Sequence, residues 1–153
     1  MQSLQPDLVS REQVMPNLEN RSQLLAYLGA KQRNVVWSWC AVNNEEKKVY
    51  FSVWVDKKRK LDDNKSYYVF QEPGWGIDET GTASPARRDH DEKLALVFDQ
   101  GYEAYGYFIV AEDPSAEPRK IAETRTGFVF SFDLRRLANG TVLGLPKTRI
   151  NIR

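Results

Sequence analysis

Apolar residues recur with a strand-like period of two in several short runs along the chain. The first two runs, 35–42 and 49–55, are separated by six polar residues, a length and composition typical of a hairpin loop. Their alternation predicts two antiparallel strands. Further strands are predicted at 66–71, 104–110, 120–124, 128–134 and 141–145, and Asn139-Gly140 is expected to form the turn between the last two.

Two stretches have helical spacing instead. The first is predicted at 20–29, where Asn20 is a suitable N-cap and Gly29 a suitable stop. The second is predicted at 85–100, and Gly101 is expected to end it. The first helix is expected to cover one edge of a sheet.

The start of the second helix can be capped in two ways. Asp89 and Glu92 have the spacing of a capping box, whereas Ser84 followed by Pro85 would cap the helix a turn earlier. The pattern leaves both starts open.

The order of these elements is helix, three strands, helix, and three or four strands. It lacks the regular strand-helix alternation of a Rossmann fold, and no Gly-x-Gly-x-x-Gly motif is present. We therefore expect an α+β fold with a mainly antiparallel, strongly bent sheet or small barrel of six to seven strands and two helices.

A length of 153 residues with 41 % hydrophobic and 28 % charged residues is typical of one globular domain, here 1–153, with 1–19 as a loosely attached N-terminal segment. The lone Cys40 excludes an intrachain disulfide, and the N-terminus lacks a charged stretch followed by an apolar one. No apolar run approaches the roughly 20 residues of a membrane helix. We expect a cytoplasmic protein with no membrane partner.

Aromatic residues are the main candidates for ligand binding. Trp37 and Trp39 would project from the same face of the first strand, and whether Trp54 on the second strand joins them depends on the hairpin register. Trp75 lies between two glycines in a loop, where it could contact a ligand or cover the core as a lid. Flat rings can stack a base or enclose a cation, but they can equally fill a core. The ligand-binding candidates are Trp37, Trp39, Trp54, Trp75, Tyr105 and Tyr107.

Basic residues are clustered although the net charge is only +1. One cluster follows the second strand directly, and another lies at the start of the second helix, where backbone N–H groups also favour anions. These cations could contact phosphates or simply be solvated. The phosphate-binding candidates are Lys57, Lys58, Arg59, Lys60, Arg87, Arg88 and Arg119.

The sequence contains no complete catalytic constellation. One histidine, His90, and one cysteine cannot supply a multi-histidine or thiolate metal site, so no metal or cofactor is expected. His90 lies between cations and anions, which indicates a solvated or capping role. An enzyme using Asp78, Glu79 and His90 beneath the Trp75 loop is the weakest alternative.

Several short strings together resemble an amino-terminal domain that precedes HNH-type nuclease modules in bacterial proteins similar to modification-dependent restriction enzymes. The resemblance covers about residues 30 to 125. It implies a DNA-recognition module, one that senses modified bases and acts alone or beside a nuclease domain. The strings are Arg33 to Trp39, Val49 to Asp56, Arg88-Asp89-His90, Gly101-Tyr102, Ala111 to Pro114 and Pro118 to Ile121.

A reader of a flipped or unpaired base needs aromatic walls, polar groups for the base edge and cations for the flanking phosphates. The chain contains all three, with Ser38, Ser52 and Asp56 as edge candidates. We therefore expect a nucleic-acid-binding module with DNA as its partner. The alternative is a protein-interaction module of a bacterial defence or regulatory system, because Trp, Tyr and Arg also dominate interface hot spots.

Overall fold

The computed structural model describes residues 17–152. They form two helices, α1 (Arg21–Tyr27) and α2 (Pro85–Gln100), and eight strands. Residues 1–16, most of the segment expected to be loosely attached, lie outside the described residues. The strands are β1 (Cys40–Asn43), β2 (Lys48–Trp54), β3 (Lys58–Lys60), β4 (Ser66–Gln71), β5 (Glu103–Ala111), β6 (Ile121–Thr124), β7 (Phe128–Arg136) and β8 (Val142–Asn151).

The eight strands form one mixed sheet in the order β1-β2-β5-β7-β8-β4-β3, with β6 paired to β5. Strands β2 and β5 run parallel, and their neighbours pair antiparallel. The α+β class with two helices is as predicted. The prediction of six to seven strands in an antiparallel sheet or small barrel is partly wrong, because the sheet has a parallel pair and does not close.

The sheet bends enough to bring β4 opposite β2, although β5, β7 and β8 lie between them in the strand order. The rings of Phe51 on β2 and Phe70 on β4 are 5.3 Å apart. Gly144 on β8 makes room for this approach, since a Cβ there would overlap the Phe70 ring. Between β2 and β4 the sheet is left open, and this gap contains the candidate site.

The two helices cover opposite faces of the sheet. Leu24 and Leu25 of α1 pack with Tyr50 and Tyr107, whereas Leu94 of α2 packs on the other side. Each face therefore has its own buried cluster, and β2 is buried on both.

The helix caps follow local sequence signals. Asn20 Oδ1 accepts a hydrogen bond from Gln23 N at 2.9 Å, as predicted. Ser84 Oγ accepts one from Arg87 N at 3.1 Å, so the Ser84-Pro85 start is the correct one and the alternative capping box is wrong. Gly101, with φ of 77°, ends α2 as predicted.

The first strand begins later than predicted, at Cys40 rather than at residue 35. Residues 34–38 form a turn in which Ser38 N donates to Asn34 O at 2.9 Å and Asn34 Oδ1 accepts from Val36 N at 2.8 Å. Trp37 therefore lies on this turn. The predicted common strand face for Trp37 and Trp39 is wrong.

Most of the basic run after β2 forms a strand instead of a solvated loop. Lys58–Lys60 form the edge strand β3, which pairs with β4. Charged side chains on an edge strand discourage pairing with a further chain.

Candidate binding pocket

A cavity of about 150 Å³ lies between β2 and β4, at the edge of β2 that β1 leaves unpaired. Loop 72–76, α2 and residues 117–119 complete its walls. We call it the tryptophan pocket, and its principal lining residues are Trp39, Trp54, Trp75, Ser52, Gln71 and His90.

Three indoles form the apolar walls of the tryptophan pocket. The rings of Trp39 and Trp54 are 5.9 Å apart and tilted by 46°, and those of Trp39 and Trp75 are 6.4 Å apart and perpendicular. All three are partly exposed. The rings thus face the cavity from different directions instead of stacking on one another.

The hairpin register explains why Trp39 and Trp54 meet. Cys40 pairs with Phe51, and Ser52 N donates to Trp39 O at 2.9 Å, so Trp39 lies beside Ser52. Trp54 is two residues further along β2 and projects from the same face as Ser52. This is the register that the sequence could not determine.

Arg119 supports the Trp54 wall. Its guanidinium lies 5.0 Å from the Trp54 ring centre and donates two hydrogen bonds of 2.8 Å to the Asp56 carboxylate. These hydrogen bonds lower the pKa of Asp56. Asp56 and Arg119 are thus paired with each other at the rim of the pocket, so Asp56, expected at a base edge, and Arg119, expected at a phosphate, have an internal role.

Trp75 is held in place by the start of α2. Arg87 Nη1 donates to Trp75 O at 2.6 Å and Pro73 O at 3.0 Å, while its Nε bonds Asp91. Gly76 has φ of 74°, and a Cβ there would approach the Arg87 Cβ to 2.6 Å. Close approach and backbone conformation therefore require glycine next to Trp75. The Arg87 side chain, predicted to bind phosphate, is engaged inside the protein.

Ser52 supplies the polar group on the β2 side of the pocket. Ser52 Oγ donates to Tyr107 Oη at 2.7 Å. Tyr107 is fully buried, and burial raises its pKa to about 12. Tyr107 therefore acts on the pocket only through Ser52.

His90 and Gln71 form the polar side of the pocket that lies opposite Ser52. Gln71 Nε2 lies 2.9 Å from His90 Nδ1 and donates to Asp91 Oδ1 at 3.0 Å. Burial lowers the pKa of His90 to about 4, although Asp91 and Asp89 act in the opposite direction. His90 is only 3 % exposed, so the predicted solvated or capping role is wrong.

Gln71 was not predicted as a lining residue, and His90 was placed beneath the Trp75 loop only in the enzyme alternative. One signal was present for the histidine: it precedes Leu94 by four residues and therefore shares the buried face of α2. Gln71 ends a strand, and only the long-range approach of β4 to α2 gives it a role.

The basic residues near the pocket divide between two sides. Lys57 and Arg59 both lie near Glu72, at 3.5 and 3.6 Å, and Lys57 lines the pocket. Lys58 lies instead over the Tyr68 ring, and Lys60 is exposed. Alternation along β3 thus directs half of the basic run toward the pocket.

Three predicted residues lie elsewhere. Trp37 and Arg88 line a separate surface depression with Arg33 and Glu92. Tyr105 packs against Tyr50, with ring centres 5.2 Å apart, in the core covered by α1. The structure therefore brings together Trp39, Trp54 and Trp75, and separates Trp37 and Tyr105 from them.

The other chemical candidates do not assemble into a site. Burial raises the pKa of the Cys40 thiol, which donates to Asp89 at 3.6 Å. Asp78 accepts hydrogen bonds within its own turn, and Glu79 is exposed. Within residues 17–152, no group of three acidic, histidine or cysteine side chains is arranged to hold a metal ion.

Within residues 17–152, neither α1 nor α2 has the length and apolar composition of a membrane-spanning helix. No family model matches the chain, and the searches of curated proteins and of solved structures found no similar one.

Proposed function

We propose that this chain is a nucleic-acid-binding module that takes one unpaired or flipped base into the tryptophan pocket. The observation that carries the proposal is the convergence of three indoles from separate segments, Trp39, Trp54 and Trp75, on one cavity. Flipped bases are read by aromatic or apolar walls together with hydrogen bonds to the base edge.

The size of the cavity is suitable for this ligand. An apolar protein cavity of about 150 Å³ can hold one benzene molecule. The tryptophan pocket has about the same volume and is open to the surface, so a single six-membered ring can enter it while its sugar stays outside. A whole duplex or a peptide helix is too large.

Charge at the rim supports a ligand with phosphates. Lys57 and Arg59 lie on the pocket side of β3, where they now share Glu72. Both pairs are partly exposed, and such pairs contribute little to stability. A phosphate can therefore replace Glu72 as the partner of the two cations with little loss of stability.

A modified base is the preferred ligand in this proposal. Because the indoles are tilted by 46° and 90° to one another, they can contact a ring and a substituent at its edge together. Each buried methyl group would contribute about 0.8 kcal/mol to binding. The resemblance of residues 30–125 to recognition domains that precede nuclease modules supports the same ligand and a role in restriction or defence.

Titration with fluorescent oligonucleotides tests the proposal. Single-stranded, duplex and mismatched duplex probes, each with unmodified or methylated bases, would be titrated at two salt concentrations. We expect single-stranded and mismatched probes to bind more tightly than perfect duplexes, because their base is not paired. Absence of binding to all probes at low salt would contradict the proposal.

The alternative, a protein-interaction module, is favoured by one observation. Val35 and Val36, at the tip of the 34–38 turn, are 68 % and 84 % exposed. Two adjacent exposed apolar side chains form a surface that a protein partner can cover. Sedimentation over a range of protein concentrations tests whether the chain associates with itself. A mass that rises with concentration would favour the interaction module, and a constant mass would exclude self-association.

A further inference from the structure

The polar side of the tryptophan pocket contains a buried hydrogen-bond donor with no partner in the described part of the chain. His90 is 3 % exposed and lines the cavity. Its Nδ1 is bonded to Gln71, whereas none of the residues 17–152 forms a hydrogen bond with its Nε2. Buried polar groups without a partner are rare and costly, so this atom calls for an explanation.

The neighbours of His90 determine which ring nitrogen carries the proton. Gln71 Nε2 contacts both His90 Nδ1 and Asp91 Oδ1, and the carboxylate can only accept. The contacting atom of Gln71 is therefore the amide nitrogen, which is donor-only. His90 Nδ1 must accept, and in the neutral imidazole the proton is on Nε2.

The same chain of contacts fixes the ring orientation. Asp91 is held by Arg87 Nε at 3.1 Å, and the imidazole ring lies against Phe51 and Trp75, with centres 5.3 and 5.2 Å away. The donor is thus presented by a rigid group beside one of the three indoles. Such prior organisation lowers the entropy cost of making a hydrogen bond to a ligand.

We propose that the His90 Nε2–H donates a hydrogen bond to the edge of the ring bound in the tryptophan pocket. The pocket then selects heteroaromatic rings with a nitrogen or oxygen acceptor over apolar rings of the same shape. This selection rests on the proposed function, and it adds Gln71 as the positioning residue that keeps the imidazole in the required tautomer.

The tautomer can be tested without any ligand. His90 is the only histidine in the sequence, so imidazole ¹⁵N resonances of the labelled protein need no assignment. We expect a neutral ring with the proton on Nε2 at pH 7. A ring protonated on Nδ1 alone would overturn the inference and leave the proposed function standing.

The selection can be tested with matched probes. Single-stranded oligonucleotides would carry, at one central position in an otherwise abasic tract, thymine or its apolar isostere difluorotoluene. We expect about tenfold weaker binding of the isostere, because it leaves the buried donor unpaired. His90→Phe should remove this discrimination, because it keeps an aromatic ring but has no donor.

A second variant guards against loss of folding. His90→Gln places an amide N–H near the position of Nε2, and we expect it to retain part of the discrimination. Equal binding of thymine and difluorotoluene by the wild-type protein would overturn the inference. Absence of binding to every oligonucleotide would overturn the proposed function and this selection with it.

Discussion

At His90, burial determines the charge of the side chain. Asp89 and Asp91 are adjacent in the chain and favour the imidazolium, yet desolvation outweighs them and lowers the pKa to about 4. The charge of Arg87 also lowers the pKa. The groups that face the imidazole from β2, β4 and loop 72–76 are Phe51, Gln71 and Trp75, none of which is charged. The residue is therefore neutral at pH 7.

This shift predicts how stability depends on pH. The ordinary pKa of histidine is 6.5, so the unfolded chain takes up a proton as the pH falls through 6.5, whereas the folded chain does not until about 4. The free energy of unfolding should fall by about 2 kcal/mol between pH 6.5 and 5. Urea unfolding at several pH values measures it.

The control for this prediction is His90→Gln, which has no titrating ring. Asp56 also has a lowered pKa, but its effect belongs below about pH 5. The variant should show a flat stability between pH 6.5 and 5. An equal decline in both proteins would contradict burial of a neutral histidine.

At the scale of elements, Gly76 allows loop 72–76 to lie close against α2, because it has no Cβ. Gly76→Ala would strain the backbone at φ of 74° and force its Cβ against Arg87. The strain should cost about 1–2 kcal/mol and the overlap about 1–3 more, measured by urea unfolding. Gly81→Ala is the matched control, because Gly81 has φ of 84° but no atom within 4 Å of the added Cβ. Equal losses would show that the contact with α2 is not tight.

Elements with local signals were predictable from the sequence. Asn20 and Ser84 have the side chains that cap a helix, and the polar loop between β1 and β2 indicated their hairpin. The start of β1 was not predictable in the same way. Val35, Val36 and Trp37 have the composition of a strand, but the side chain of Asn34 holds them in a turn.

The sheet topology and half of the pocket depend on contacts between distant residues. Pairing of β2 with β5 is parallel and spans β3, β4 and α2, so no turn sequence marks it. The aromatic walls Trp39, Trp54 and Trp75 could be selected by residue type. The contact between Gln71 and His90 could not be predicted from the sequence, because only the bend of the sheet brings β4 to α2.

For the whole molecule, a net charge of +1 means that binding to nucleic acid must depend on where cations lie. Lys57 and Arg59 are on the pocket side of β3, and Lys58 and Lys60 are not. Replacing the first pair by alanine should reduce the slope of log affinity against log salt by about 1 to 2. The Lys58 and Lys60 double variant, with the same change in charge, is the control and should alter the slope less.

The salt series also separates the two kinds of contact. Indole stacking depends little on salt, whereas phosphate contacts weaken as the salt concentration rises. Arg88, which lies outside the pocket and donates to Ala83 O at 2.7 Å, remains a candidate for a flanking phosphate. Arg88→Ala should mainly flatten the salt dependence, and a uniform loss of affinity at all salt concentrations would contradict this.

The most direct measurement compares two tryptophans that are two residues apart in the chain. Trp39 lines the pocket and Trp37 lies outside it. With a single-stranded probe in fluorescence anisotropy, Trp39→Ala should lose about 1–3 kcal/mol of binding at every salt concentration, while Trp37→Ala should stay close to wild type. Equal affinities for both variants, or a greater loss for Trp37→Ala, would contradict base binding in the tryptophan pocket.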